Sequence, residues 1–348
     1  MVLRPGIRDV AQKAGVGISS VSRVLSNHPD VSQIMRQRVT AAIEVLGYQP
    51  NLVARGMRNG ITGCIGFMVS DISNPLLSEI VQGAEEVLSE NDFSLILTAS
   101  NDSSARDAAQ IRQLHQRRAD GLILLTAAED DPSTGRMLAM LDVPFVVLDR
   151  EFSRQPDLYA SYVLSDHRTG MRDAVRHLLD LGHRRIAIVI GRNVRPSRER
   201  LRAVQDTLLE EGEGAILAVE SDGSSIEDGR SALVRLLDRS EPPTAVILGG
   251  NLLLYGALDV IRDRRMVLGR DLSLVGCDDA KLTRLLTPTV SVVARDAHQI
   301  GCTAAQLILK RISGDGGPES VTLPTWYEAR DSCGQAPRMP RGQRRRRF

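Results

Sequence analysis

Three polar side chains stand out for what they could grip. Ser19, Ser20 and Arg23 lie in the stretch AGVGISSVSRVL, Ala14 to Leu25. Its apolar residues Ala14, Val16, Val21, Val24 and Leu25 recur at spacings that face a core, so the three polar ones point outward. An arginine fork donates two hydrogen bonds to paired acceptors such as guanine O6 and N7. Short hydroxyls reach a base edge or a phosphate. A second stretch, GRNVRPSRER, carries Arg192, Arg195, Arg198 and Arg200. Guanidinium forks suit carboxylate and phosphate, so this loop points to a small anionic ligand, such as a phosphorylated sugar or a sugar acid. Catalytic signatures are missing. GITGCIG places glycines at 60, 63 and 66, which is not a dinucleotide fingerprint, and no G-x-S-x-G elbow occurs. His115, His167, His177, His183 and His298 show no local metal-ligand spacing. No catalytic residue, metal or cofactor is expected.

The elements that must position Ser19, Ser20 and Arg23 are short helices. The pattern predicts a first helix over Asp9–Ala14, stopped by Gly15-Val16-Gly17 because glycine takes turn angles without steric cost. A second helix follows over Ile18–Ser26. Ser32 is a candidate N-cap for a third helix through Leu46, ended by Gly47 and Pro50. Two helices across a glycine-containing turn are the DNA-binding helix-turn-helix, whose second helix enters the major groove.

Beyond residue 60 the pattern changes to alternating strands and helices. CIGFMVS, SLILTA, DGLILLTA and PFVVLD read as strands, then RRIAIVIG, AILAVE, TAVILGG and LSLVGC, with amphipathic helices between them. Such alternation gives parallel sheets covered on both faces. Two sets of about five strands make two lobes. The fold class is thus a small all-α headpiece plus a two-lobed α/β core, with ligands expected beyond the carboxyl ends of the strands, between the lobes.

Charge supports this division. Residues 1–60 carry eight basic and three acidic side chains, and residues 338–348 carry six arginines and no acid, whereas the rest is net −10. A basic head on an acidic body suits a polyanionic partner. Cys64, Cys277, Cys302 and Cys333 are far apart and read as reduced thiols. There is neither a signal-peptide pattern nor an apolar run of membrane-spanning length, so a cytoplasmic protein without a membrane partner is expected.

The longer stretches IRDVAQKAGVGISSVSRVLSNHPDVS, LGYQPNLVARGMRNG, IGFMVSDISNP, DGLILL, LGHRRIAIVIG and LSLVGCDD together resemble the lactose-repressor (LacI) family of bacterial regulators, in the same order, over residues 6–330. The resemblance implies a headpiece over 1–50, a hinge helix over 51–60, a periplasmic-binding-protein-like effector and dimerisation core over 61–330, and a basic, disordered tail over 331–348. It implies a homodimeric regulator, expected to repress, on a roughly palindromic double-stranded operator, with a sugar or sugar derivative as effector. Ile18, Ser19 and Arg23 would read bases, with Ser20 and Ser32 near phosphates. Asn51, Ala54, Arg55 and Met57 would belong to the DNA-ordered hinge, Met57 standing where the family usually has a leucine wedge.

For the effector, the resemblance points to Asp71, Asn74, Leu77, Asp149, Arg200, Asn251 and Asp278. Departures are visible. Gly250-Asn251 replaces the family's Asn-Asp, and Leu77 stands where an aromatic often stacks on the ligand; aromatics are only 3% of the chain. A stacking-based pocket is therefore poorly supported, and a regulator whose cleft no longer binds a ligand stays open as an alternative. A solute-binding protein would explain the lobes but not the basic head, and an enzyme on the same core would need a catalytic set the sequence does not show.

Overall fold

A computed structural model describes residues 5–25, 28–48, 61–152, 158–221 and 223–337. The chain divides into two units after Gly63. The hinge residues Asn51, Ala54, Arg55 and Met57, and the arginine-rich segment 338–348, lie outside the described residues.

The first unit holds α1 (Ile7–Ala14), α2 (Ile18–Leu25) and α3 (Gln33–Leu46). Helix α1 starts two residues before Asp9 because Asp9 folds back, its carboxylate accepting the Gly6 N–H at 2.7 Å. Gly15 takes φ +64 and closes the helix with N–H bonds to the Ala11–Gln12 turn. Ser32 caps α3 by accepting the Met35 N–H at 3.3 Å. Val10, Ala11, Ala14, Val21, Val24, Val39 and Ala42 form the buried centre.

The second unit contains two six-stranded sheets. Lobe one uses β1 (Cys64–Val69), β2 (Ser94–Ala99), β3 (Gly121–Leu124), β4 (Phe145–Leu148), β5 (Ser161–Ser165) and β11 (Ser320–Leu323), in the order β11-β5-β4-β3-β1-β2. Its faces carry α4 (Pro75–Glu90) with α12 (Ala297–Ile312), and α5 (Ser104–Gln116) with α6 (Pro132–Ala139). Lobe two uses β6 (Arg185–Ile190), β7 (Ile216–Ser221), β8 (Ala245–Leu248), β9 (Ser273–Cys277), β10 (Ser291–Arg295) and β12 (Thr325–Glu328), in the order β12-β10-β9-β8-β6-β7. Helices α7 (Thr169–Asp180) and α8 (Arg195–Glu211) cover one face, α9 (Ile226–Leu237) and α10 (Asn251–Asp263) the other, and the short α11 (Lys281–Leu285) follows β9. All pairings are parallel except β10 with β12.

The sequence pattern misses β5, β10, α12, β11 and β12, which carry the chain across the lobes. It crosses after β5, after β10 and after β11. The crossings are stitched together, with Asp166 N–H donating to Leu323 O at 2.8 Å and Thr325 Oγ1 donating to Asp166 O. A second correction concerns the tail expected over 331–348. Residues 331–337 are part of the core, since Ser332 is buried, Gly334 O accepts from His183, and Ala336 N–H bonds Leu181 O at 2.8 Å.

Candidate functional site

In the first unit, α2 buries Val21 and Val24 and turns Ile18, Ser19 and Arg23 outward, with Ser20 half-buried. Exposure of an isoleucine (44% for Ile18) at the first position of a helix leaves an apolar surface of the kind that meets a thymine methyl. Ser32 lies at the start of α3, where free backbone N–H groups favour an anion.

In the second unit, the carboxyl ends of β1, β3, β4, β6, β8, β9 and β10 face one cleft with a cavity of about 130 Å³. Asp71, Asn74, Leu77, Asp149, Arg200, Asn251 and Asp278 all line it. Asp71 and Asn74 shape the turn into α4: Asp71 accepts the Ser73 N–H at 2.8 Å, and Asn74 caps the helix through Leu76 N–H at 3.2 Å. No aromatic ring lines the cavity among the described residues.

The two central carboxylates occupy equivalent places. Asp149 follows β4 and Asp278 follows β9, and both adopt left-handed backbone angles, φ +46 and φ +70, which aspartate tolerates better than most residues. Each donates its backbone N–H at 2.9 Å to the third residue of the next strand, Val163 in β5 and Val293 in β10. Between them lies Arg295, which sequence reasoning missed. Its Nε donates to Asp278 at 2.8 Å, its Nη1 donates to Asp149, and the same Nη1 reaches Ser165 Oγ at 3.0 Å. Asp149 also accepts the Ser165 N–H at 2.7 Å. Arg200 donates to Gly249 O at 2.7 Å and stands 3.5 Å from Asp278. Buried Arg150 donates to Thr126 O and Asp149 O.

Burial is the largest single effect and would raise both carboxyls, but the Arg295 charge together with the neighbouring charges and hydrogen bonds outweighs it, holding Asp149 well below its ordinary value and Asp278 below it with help from Arg200. Burial would lower Arg295, yet Asp278 and Asp149 raise it. His167, on the first crossing, is pushed down to about 4 by burial, with Arg200 and Arg295 adding to the fall against the pull of Asp149. It is therefore neutral, and its Nε2 lies 3.5 Å from Asp149 without a hydrogen bond.

The arginine-rich stretch expected to form a loop instead opens α8 from Arg195 onward, and its outer guanidiniums are committed elsewhere. Arg192 pairs with Asp102 at 2.7 Å, Arg195 with Glu151 at 3.0 Å, and Arg198 with Glu129 at 2.6 Å. These guanidiniums already have carboxylate partners in the protein, which removes the reason for expecting an anionic ligand. What does lack a partner is the Asn251 amide, 1% exposed, together with Arg200 Nε.

Comparison with known proteins decides the family. Residues 6–51 match the family model described as bacterial regulatory proteins, lacI family, and residues 175–333 match the periplasmic binding protein-like domain. The ribose operon repressor of Haemophilus influenzae is 30% identical over 88% of this chain and 91% of its own length. The chain belongs to the LacI family. Among solved LacI-family structures, the lac repressor dimer bound to operator and the anti-inducer ONPF is 25% identical, with TM-score 0.83 over 94% of this chain and 98% of that one. The transcriptional regulator CelR in complex with cellobiose is 30% identical, with TM-score 0.70 over 94% of this chain and 100% of that one. This LacI-family member is accordingly a DNA-binding transcriptional regulator with an effector-binding type of core, and its relatives are regulators rather than enzymes. Among the described residues no helix is long and apolar enough to cross a membrane.

A signal for Arg295 was present in the LacI-type core. SYVLSD (161–166) and SVVARD (291–296) are the same crossing strand repeated in each lobe, and Arg295 stands where Ser165 stands. Aligning the halves places an arginine against the Asp278 carboxylate, as Ser165 is placed against Asp149.

Proposed function

We propose that the protein is a cytoplasmic homodimeric repressor whose grip on a roughly palindromic operator is set by a neutral, polyhydroxylated small molecule of the sugar class. The headpiece reads bases through Ile18, Ser19 and Arg23, with Ser20 and Ser32 at phosphates and the 51–60 segment serving as hinge. The core takes the effector among Asp71, Asn74, Leu77, Asp149, Arg200, Asn251 and Asp278. The domain limits follow the same reading, with the core running to residue 337.

The observation that carries the effector class is the Asn251 amide and Arg200 Nε, buried at the cleft and lacking hydrogen-bond partners, beside aspartates whose charge internal arginines already balance. Unpaired buried donors and acceptors favour a ligand with hydroxyls. The cellobiose complex of CelR is consistent with such a ligand.

Two measurements test this. Selection of bound duplexes from random sequence should return a two-fold symmetric site whose affinity falls steeply with salt. Arg23→Ala should lose base preference at one position per half-site, by about 1–3 kcal/mol; a uniform loss over all sequences would make Arg23 a phosphate contact instead. A thermal-shift screen should show stabilisation by neutral sugars. Stabilisation by sugar phosphates alone would overturn the neutral class, and no shift with any sugar would mean that the cleft does not bind this class.

A further inference from the structure

Among the described residues, four arginines cross the cleft in one direction. Arg192, Arg195, Arg198 and Arg295 belong to lobe two, and their partners Asp102, Glu151, Glu129 and Asp149 belong to lobe one. Arg192–Asp102 and Arg195–Glu151 are partly exposed, whereas Arg198 reaches the buried Glu129. Backbone N–H groups add to them, with Arg195 N–H donating to Glu129 at 2.9 Å across the cleft and Glu151 N–H donating to the same carboxylate at 3.1 Å. The fourth arginine, Arg295, sits deeper, its side chain 7% exposed, and bridges the equivalent aspartates of the two lobes. It also ends β10, immediately before the chain crosses into α12. One guanidinium thus ties the second crossing to the carboxylate that anchors the first, because Asp149 accepts from Ser165 at the end of β5.

We propose that Arg295 is the positioning residue of the core, an internal cation that bridges the lobes and holds them closed through a one-directional arginine clasp without help from a ligand. Its regulatory meaning rests on the reading of this cleft as the effector site; the clasp itself rests on the geometry alone. Asp149 is occupied by Arg295 and Ser165, so a ligand meets its open partners on the lobe-two wall, at Asn251 and Arg200. It then acts on the lobes by shifting the Arg200–Asp278–Arg295 side of the bridge. A ligand changes a conformational equilibrium only through such a difference in contacts between states.

Hydrogen exchange by mass spectrometry on the full chain, without DNA or sugar, tests the clasp. In Arg295→Gln the amides of Ser165, Glu151 and Arg195 should exchange at least about tenfold faster, since each depends on a carboxylate at the lobe interface, while the amides within β1 and β8 stay at the wild-type rate. Arg295→Lys, which keeps the charge but not the fork, should fall between. Unchanged exchange at these three amides in Arg295→Gln would overturn the proposal. So would an equal acceleration throughout both sheets, which would make Arg295 a general stabiliser. Neither result bears on whether the headpiece selects an operator, so the two readings fail separately.

Discussion

Two buried groups in lobe one and its first crossing have opposite responses to acid. His167 would titrate near 6.5 in the unfolded chain and is pushed down to about 4 in the fold by burial, reinforced by Arg200 and Arg295. Between those values the unfolded state binds a proton that the folded state refuses, so stability falls as pH falls through the window. Asp107 on α5 behaves the other way. Burial lifts it from 3.8 to about 6, although it accepts the Ala127 N–H at 2.8 Å and feels Arg150. Between 6 and 3.8 the folded state keeps a proton that the unfolded state has released, so stability rises as pH falls. Each effect is on the order of 3 kcal/mol by the shift alone, and between pH 6 and 4 they offset one another. Substituting either should therefore unmask the other. Urea midpoints of Asp107→Asn should drop from pH 6.5 to 4.5 more steeply than those of the wild type, and those of His167→Gln should drop less or rise. Parallel curves for all three proteins would show that neither group titrates as its surroundings dictate.

At the scale of elements, each lobe is held by one pair of helices that approach through reciprocal glycines. In lobe one, a Cβ on Gly83 of α4 would lie 2.1 Å from His298 O, and one on Gly301 of α12 would lie 1.9 Å from Ile80 O. In lobe two, the corresponding distances are 2.2 Å from Gly229 of α9 to Leu253 O and 1.8 Å from Gly256 of α10 to Ile226 O. The obstructing atoms are backbone, which cannot rotate aside, so a methyl group must separate the helices. Gly301→Ala and Gly256→Ala should each lose about 3 kcal/mol, the upper end of overpacking penalties, whereas Gly250→Ala, with open space and an extended backbone, should unfold within about 0.5 kcal/mol of wild type. Thermal melts of the three variants check this. These glycine pairs were not legible in the sequence, because the partners are far apart along the chain and nothing local marks them. The sheet centres were legible because strands such as CIGFMV and RIAIVI, covered on both faces, read as unbroken apolar runs. The crossing strand SYVLS alternates buried and half-buried positions, and SVTL and TWYE are mostly half-exposed, so they carry no such run. Arg295 was missed for another reason, because its strand SVVAR is buried but its apolar run, Val292 to Ala294, is short. Asp149, Asp278 and Arg200 could be placed from motifs, but the residue joining them sits at the end of a strand the pattern did not find.

For the molecule as a whole, regulation requires that effector and operator compete or cooperate through one free energy. The headpiece has its own small aliphatic centre, Val10, Val21, Val24 and Val39 with alanines, and the lobes have separate ones. The two units therefore need not unfold as one, and a core-binding sugar used without DNA should raise only the melting of the core. Operator in the same tube adds a sharper condition. If a neutral sugar weakens operator binding by a given factor, operator must weaken sugar binding by that factor, because both describe the same coupling. A tenfold effect is about 1.4 kcal/mol at either site. Titrating sugar by calorimetry into the full chain, with and without saturating operator duplex, gives one ratio, and operator binding with and without saturating sugar gives the other. Equal ratios different from unity establish effector control through the cleft. Ratios of one in both directions would leave the sugar bound but without authority over DNA, and the core would then be a binding module rather than the sensor of this regulator.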